Sequence, residues 1–234
     1  MGVGADVDGR VNAWEHATAT IRTCLEHGIR EFVVCAGARN AAVVEALVQA
    51  ETAGHVTLRR HFEERSAGFF GLGRTMSTGE PCAVVTTSGT AVAELLPAMI
   101  EARYQGRPLV ALTADRPAEF RGSGAPQSIQ QVGIFGEHAG SGDLATWDRR
   151  SPWHFNVELE EEFEVGEMDF SEMGVSRPEV VWPRLAVAGL ARWLKDDLFR
   201  GLVVYVGGLE PEDREDVFHF LLDLDAPVVA EATS

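Results

Sequence analysis

The stretch from Thr86 to Pro117, TTSGTAVAELLPAMIEARYQGRPLVALTADRP, decides the fold class. It completes a strand that begins at Ala83 (AVVTT, to Thr87), turns through Ser88-Gly89-Thr90, and then reads as a helix over Thr90–Arg103 with a kink expected at Pro97. A second apolar strand, Pro108–Thr113 (PLVALT), leads into the polar exit Ala114-Asp115-Arg116-Pro117. Two continuous apolar strands joined by a helix predict parallel pairing, with both sheet faces covered.

The pattern extends towards the amino terminus. Asn12–His27 sets Trp14, Ala17, Ile21, Cys24 and Leu25 at helical spacing, and Gly28 follows as a C-cap. EFVVCAG, Glu31–Gly37, is a β-branched strand ending in glycine, followed by helical Ala41–Ala50 and an extended piece over Val56–Arg60. Glu64–Met76 reads as a helix although it holds Gly68, Gly71 and Gly73, each costing about 1 kcal/mol in a free helix. Close approach of a neighbour or a ligand would explain them, and the face Ala67, Gly68, Gly71 would leave room for something flat. In parallel sheets ligands bind beyond the carboxyl ends of the strands. Those ends are Gly37-Ala38-Arg39, Thr87-Ser88-Gly89-Thr90 and Thr113 to Pro117, and the first and third are expected to belong to neighbouring strands.

Beyond Pro117 the periodicity fades. Ala118–Gly142 is rich in Gly, Ser, Gln and Pro and is expected to be a functional loop. Glu158–Glu179 holds nine acidic residues and one arginine, which predicts a solvated linker, with a docking site for a basic partner as the alternative. Helical Pro183–Lys195, strand Gly201–Val206, helical Pro211–Leu222 and strand Ala226–Ala230 form a second α/β unit. It covers about fifty residues, short of a typical domain, so the chain is expected to be a fragment of a longer protein.

The chain has 234 residues and 20 basic against 36 acidic groups, a net charge of −16, with an apolar share of 45%. That is an ordinary globular composition, and its acidity argues against a nucleic-acid partner. It leaves room for a small anionic substrate. Three cysteines without C-x-x-C spacing exclude a zinc ribbon or a disulfide framework. With no leader visible in Met1–Val11 and no apolar run long enough to span a bilayer, a cytoplasmic protein with reduced thiols is expected. No phosphate-binding G-x-x-x-x-G-K, dinucleotide, metalloprotease or serine-hydrolase motif occurs. A zinc deaminase reading of His61-Phe62-Glu63 and Pro81-Cys82 fails because Val85 stands where a second cysteine is needed. No residue is assigned to a metal.

Five motifs remain, in a telling order: C-x-G-x-R (Cys35–Arg39), H-F-E-E-R (His61–Arg65), T-S-G-T-A-V-A (Thr87–Ala93), L-T-A-D-R-P (Leu112–Pro117) and G-A-x-Q-x-I-x-Q-x-G-x-F (Gly124–Phe135). The series resembles the amino-terminal half of the MenD family, the 2-succinyl-5-enolpyruvyl-6-hydroxy-3-cyclohexene-1-carboxylate synthases of menaquinone biosynthesis. The resemblance covers roughly residues 12 to 140, and the tail is similar to the family's central domain.

The resemblance implies an α/β fold: a parallel-sheet pyrimidine-binding domain of thiamine-diphosphate enzymes over 1–157, an acidic linker over 158–181, and the start of a central α/β domain over 182–234. It implies a transferase that decarboxylates 2-oxoglutarate and joins the product to isochorismate. Thiamine diphosphate and magnesium are the implied cofactors, and the implied assembly is a homodimer or tetramer with the cofactor site between chains. The family's G-D-G motif for diphosphate and metal has no counterpart here, so those ligands are expected outside this chain, and the chain alone is expected to be inactive.

Residue by residue, the resemblance makes Glu64 catalytic. It would bond a ring nitrogen of the aminopyrimidine and promote the imino tautomer, in a setting of Phe62, Phe69 and Ala67 that desolvates its carboxyl. Gly37, Ser88, Gly89 and Thr90 join it in cofactor binding, and Arg39, Arg116 and Gln127 recognise substrate. Arg39 and Arg116 are expected to share one anion pocket. Two departures, Ala38 for the family's Ser and Pro126 for its Asn, each remove a possible hydrogen bond to substrate. The rival readings are a non-catalytic interaction module of the same fold and a thiamine-diphosphate carboligase or decarboxylase with another acceptor.

Overall fold

A computed structural model describes residues 12–120, 122–160, 162–171, 201–209, 212–224 and 226–231, with residues 189, 192 and 194 between them. The chain divides into two compact units, Met1–Glu179 and Val180–Ser234.

The first unit is a parallel sheet of six strands in the order β2-β1-β3-β4-β6-β5. The strands are β1 Glu31–Cys35, β2 Thr57–His61, β3 Cys82–Thr86, β4 Leu109–Asp115, β5 Gly140–Ser141 and β6 Trp153–Glu158. The helices are α1 Ala13–Glu26, α2 Ala41–Thr52, α3 Glu64–Thr78, α4 Thr90–Ala93 and α5 Leu96–Tyr104. Local chemistry marks an end of α1 and of α3. Asn12 caps α1 by accepting from the Trp14 amide at 2.9 Å, and α3 ends at Gly79 with φ of 70°.

The unbroken apolar runs of β3 and β4 are explained by two cores, one on each side of the sheet. Alternate residues Phe32, Val34, Val85 and Leu112 pack under α1 and α2 with Trp14, Ile21 and Leu47. The intervening residues Val33, Val84, Leu109 and Ala111 pack under α3 and α5 with Leu72, Leu95 and Met99.

The structure corrects the sequence at several points. Pro97 does more than kink a helix: α4 ends at Ala93 and α5 begins at Leu96, with Pro97 in the first turn of α5, where its missing N–H costs nothing. Strand β3 lies between β1 and β4, so the exits carrying Arg39 and Arg116 are not neighbours. Strand β6, unforeseen in the sequence, pairs with β4 from Val110↔Trp153 to Asp115↔Glu158. Gly68 and Gly71 leave no room for a flat ligand. A Cβ on Gly68 would stand 3.0 Å from Ala98 Cβ, and one on Gly71 would stand 2.8 Å from Val84 Cγ2. These glycines let α3 press against α5 and the sheet.

The acidic stretch was expected to be solvated. Over residues 159–171 it instead runs along the first unit. Leu159 and Met168 are buried there, and Phe163 and Phe170 pack against the α1/α2 core. The Gln49 side-chain amide holds the stretch at Gly166–Met168, donating to Gly166 O and accepting from Met168 N, each at 2.9 Å. Apolar residues spaced among the acids supply the contact and leave Glu162, Glu164, Glu167 and Asp169 exposed. The rest of the 158–181 linker, from residue 172 on, lies outside the described residues.

In the second unit β7 (Val204–Val206) pairs in parallel with β8 (Val228–Ala230), and α6 (Arg214–Leu224) connects them. The helix expected over 183–195 falls almost entirely outside the described residues.

Candidate active site

The carboxyl edge of the sheet gathers the exits of β1, β3 and β4 and the start of α3. At the first exit Asn40, fully buried, closes the turn. Its Oδ1 accepts from Gly37 N at 2.7 Å and its Nδ2 donates to Cys35 O at 2.9 Å. Gly37 lies so close to the β3 exit that a Cβ there would stand 2.6 Å from Thr87 Cβ. Only glycine fits.

Arg39 is not the surface arginine that a strand-to-helix turn suggests. It is 7% exposed and donates from Nη1 to Leu159 O at 3.0 Å. Leu159 N in turn donates to Asp115 O at 3.0 Å, so the segment after β6 bridges the two separated arginine exits. Two amides at this exit are already used: Gly37 N by Asn40, and Ala41 N by Ala38 O at 3.3 Å.

At the start of α3 the adjacent glutamates divide their duties. Glu63 is the N-cap and accepts from Arg65 N at 3.1 Å and Ser66 N at 2.8 Å. Hydrogen bonds from Ser66, side chain first and then amide, hold its carboxyl below the usual range. Glu64 opens the helix and is half-buried. Its neighbour is Cys35 at the end of β1, whose thiol is pushed up to about 12, chiefly by burial and then by the charges of Glu64 and Glu63. The expected aromatic box around Glu64 is not built: Phe62 is 95% exposed and Phe69 46%. Phe62 sits in the short link between β2 and α3, where the described residues leave it uncovered.

The third exit meets the loop that follows it. Arg116 donates from Nε to Pro126 O at 3.1 Å, and its guanidinium lies 5.9 Å from the Phe120 ring centroid. Gln127 is exposed, with a positive φ of 54° that is uncommon outside glycine. Its backbone covers Gly89, itself at φ of 81°, where an added Cβ would be 3.0 Å from Gln127 Cα, Cβ and O. Ser88 is buried and Thr90 exposed.

Beneath this edge runs a buried polar network. Asn156 Nδ2 donates to Asp115 Oδ2 at 3.0 Å, and Asp115 Oδ1 accepts from Arg116 N at 2.8 Å. Thr113 Oγ1 donates to Asn156 Oδ1 at 3.0 Å, which leaves it to accept from His154 Nε2 at 2.8 Å. Gln131, absent from the residues singled out in the sequence, ties the network to the β3 exit. Its Oε1 accepts from Gly89 N at 3.1 Å, and its Nε2 donates to Ala114 O and Asn156 Oδ1, both at 2.8 Å. The only sequence signal for Gln131 is its place as the second Gln of the Gly124–Phe135 motif.

His154 is buried edge-on to Phe135, and desolvation lowers its pKa to about 4. The unfolded chain binds this proton near pH 6.5 and the folded chain does not. Stability therefore falls as pH drops from about 6.5 towards 4, by at most ~1.4 kcal/mol per pH unit. Urea denaturation of the protein and of His154→Gln checks this. Between about pH 7 and pH 5 the unsubstituted protein should lose more stability than the variant, and parallel pH curves would contradict it.

Among the described residues no group of three His, Cys, Asp or Glu side chains could hold a metal, and no helix is long and apolar enough to cross a membrane.

Residues 15–134 match the family model described as thiamine pyrophosphate enzyme, N-terminal TPP binding domain. A protein of Akkermansia muciniphila named 2-succinyl-5-enolpyruvyl-6-hydroxy-3-cyclohexene-1-carboxylate synthase is 48% identical over 225 residues, covering 90% of this chain and 41% of that protein. Proteins of the same name from Bdellovibrio bacteriovorus and Arthrobacter sp. are 54% and 50% identical, over 52% and 55% of this chain and 22% and 21% of theirs. The chain thus spans less than half the length of the curated relatives it matches.

Proposed function

Since the chain belongs to the thiamine pyrophosphate enzymes through their N-terminal TPP-binding domain, we propose that its protein is a 2-succinyl-5-enolpyruvyl-6-hydroxy-3-cyclohexene-1-carboxylate synthase. It would decarboxylate 2-oxoglutarate and add the product to isochorismate. The observation that carries this reading is Glu64, a half-buried carboxylate opening α3 above the end of β1 and close enough to act on the Cys35 thiol.

The residues at this edge fit the pyrimidine half of thiamine diphosphate. The cofactor itself contributes the electron sink for decarboxylation. Glu64 would hold a ring nitrogen and share a proton with it, while Glu63 stays committed to the helix cap. Gly37 and Gly89 contribute shape, because their amides are already bonded to Asn40 and Gln131. Ser88 and Thr90 flank Gly89 in its turn. Arg39, Arg116 and Gln127 recognise substrate carboxylates and hydroxyls, the arginines by the bidentate pairing that lysine cannot copy. Arg39 is aimed by its bond to Leu159 O.

Magnesium and the diphosphate are held by residues outside this chain. The assembly is a cytoplasmic homodimer or tetramer with the cofactor between chains. Support for a second chain over this part of the molecule comes from the aromatic side chains of Phe62, in the β2–α3 link, and of Phe69 and Phe70 on α3, all of them exposed.

The full-length protein is the object of the test, supplied with thiamine diphosphate, magnesium, 2-oxoglutarate and isochorismate. Consumption of 2-oxoglutarate with formation of the joined product is expected. Carbon dioxide release that ignores isochorismate would assign another acceptor, and no release at all would leave the interaction module.

A further inference from the structure

Gln131 is fully buried, yet its side-chain amide reaches three elements: the Gly89 amide in the turn after β3, Ala114 O at the end of β4, and Asn156 Oδ1 on β6. Its orientation is fixed by this set. The reverse orientation would face an NH₂ group towards the Gly89 N–H and an oxygen towards Ala114 O. The same glutamine ends the loop that carries Gln127. That loop is also tied near its start by Arg116 Nε to Pro126 O, and Gln127 lies directly on Gly89 with its φ of 54°.

From this geometry we infer that Gln131 is the positioning residue for the substrate-recognition loop. One buried amide fixes the Ser88-Gly89-Thr90 turn and, through the loop, holds Gln127 and Arg116 over it. The inference rests on the reading of Arg116 and Gln127 as substrate-recognition groups and takes isochorismate as the substrate they meet. Two features set it apart from simple core packing. An apolar residue of equal length would fill the same space without the bonds. The positive φ of Gln127 is an uncommon conformation, and it persists only where its surroundings over-determine it.

The test is Gln131→Met in the full-length protein, with Gln131→Glu as the second variant. Methionine keeps the volume and loses every bond. Glutamate keeps an acceptor for Gly89 N and loses the paired donors. The first measurement is amide hydrogen exchange over residues 86–91 and 116–132, which needs no substrate. In both variants exchange should accelerate by about tenfold or more there, while α1 and α2 remain protected. The second is steady-state kinetics. With thiamine diphosphate saturating, KM for isochorismate should rise about tenfold, the equivalent of one or two lost hydrogen bonds, while release of carbon dioxide from 2-oxoglutarate alone falls by a clearly smaller factor.

Unchanged exchange in the loop overturns the positioning role. So does equal loss in both half-reactions. A Met variant that fails to fold passes the decision to the Glu variant. If the unsubstituted protein does not use isochorismate, the functional reading fails, and the exchange measurement alone decides the role of Gln131.

Discussion

Glu64→Gln is expected to slow deuterium exchange at the thiazolium C2 of bound thiamine diphosphate by about 10²–10⁴-fold, the range that a positioned acid–base group supplies. The reason is local. A carboxyl can give and take the proton shared with the pyrimidine ring, and a carboxamide cannot. Glu63→Gln is the control that the structure itself selects. The Glu63 carboxyl accepts from Arg65 N and Ser66 N and is held below its usual range by Ser66, so its work is at the helix start. Its substitution should weaken the first turn of α3 and leave the exchange rate nearly as it was. The measurement is rapid-quench NMR on the full-length protein with cofactor and magnesium. It does not depend on which acceptor is used. Equal sensitivity of the two glutamates, or greater sensitivity of Glu63, would show that the cofactor meets α3 in another register.

Gly37→Ala should be the most damaging single methyl group at the site. Its Cβ would lie 2.6 Å from Thr87 Cβ, 2.9 Å from Oγ1 and 3.0 Å from Cγ2. The nearest of these atoms is the branch point itself, which no rotamer change can move away. The β1–α2 turn must therefore part from the β3 exit, straining the Asn40 bonds to Gly37 N and Cys35 O. Overpacking of this kind costs about 1–3 kcal/mol. Denaturant midpoints of the single variants, Thr87→Gly and the double variant form a mutant cycle. The double variant should recover most of the loss. A Gly37→Ala midpoint equal to that of the unsubstituted protein would refute the close approach.

Much of the first unit is legible in the sequence because its signals are local. The apolar runs at Phe32–Cys35, Ala83–Thr86 and Leu109–Thr113 are strands, and the spacing of Trp14, Ala17, Ile21 and Cys24 is the buried face of α1. The strand exits follow directly, since a parallel sheet presents its carboxyl ends together. The five motifs then name the thiamine pyrophosphate family, which the match over residues 15–134 shows.

Other features arise only from residues distant in the chain. Trp153–Glu158 carries a mixed pattern, WHFNVE, and becomes a strand by pairing with β4. The stretch over 159–171 reads as a free linker in the sequence, yet Leu159, Met168 and Phe170 meet the α1/α2 core while Glu162, Glu164, Glu167 and Asp169 stay exposed. Glycines in α3 suit a ligand or a neighbour equally well in the sequence, and only the 2.8 Å approach to Val84 Cγ2 assigns Gly71 to packing. Arg39 finds Leu159 across 120 residues, and Gln131 finds Gly89 across 42. Periodicity and caps are written into neighbouring residues, so composition and spacing reveal the elements and their ends. Which buried polar group satisfies which depends on strand order, and strand order is settled by the packing of the whole unit.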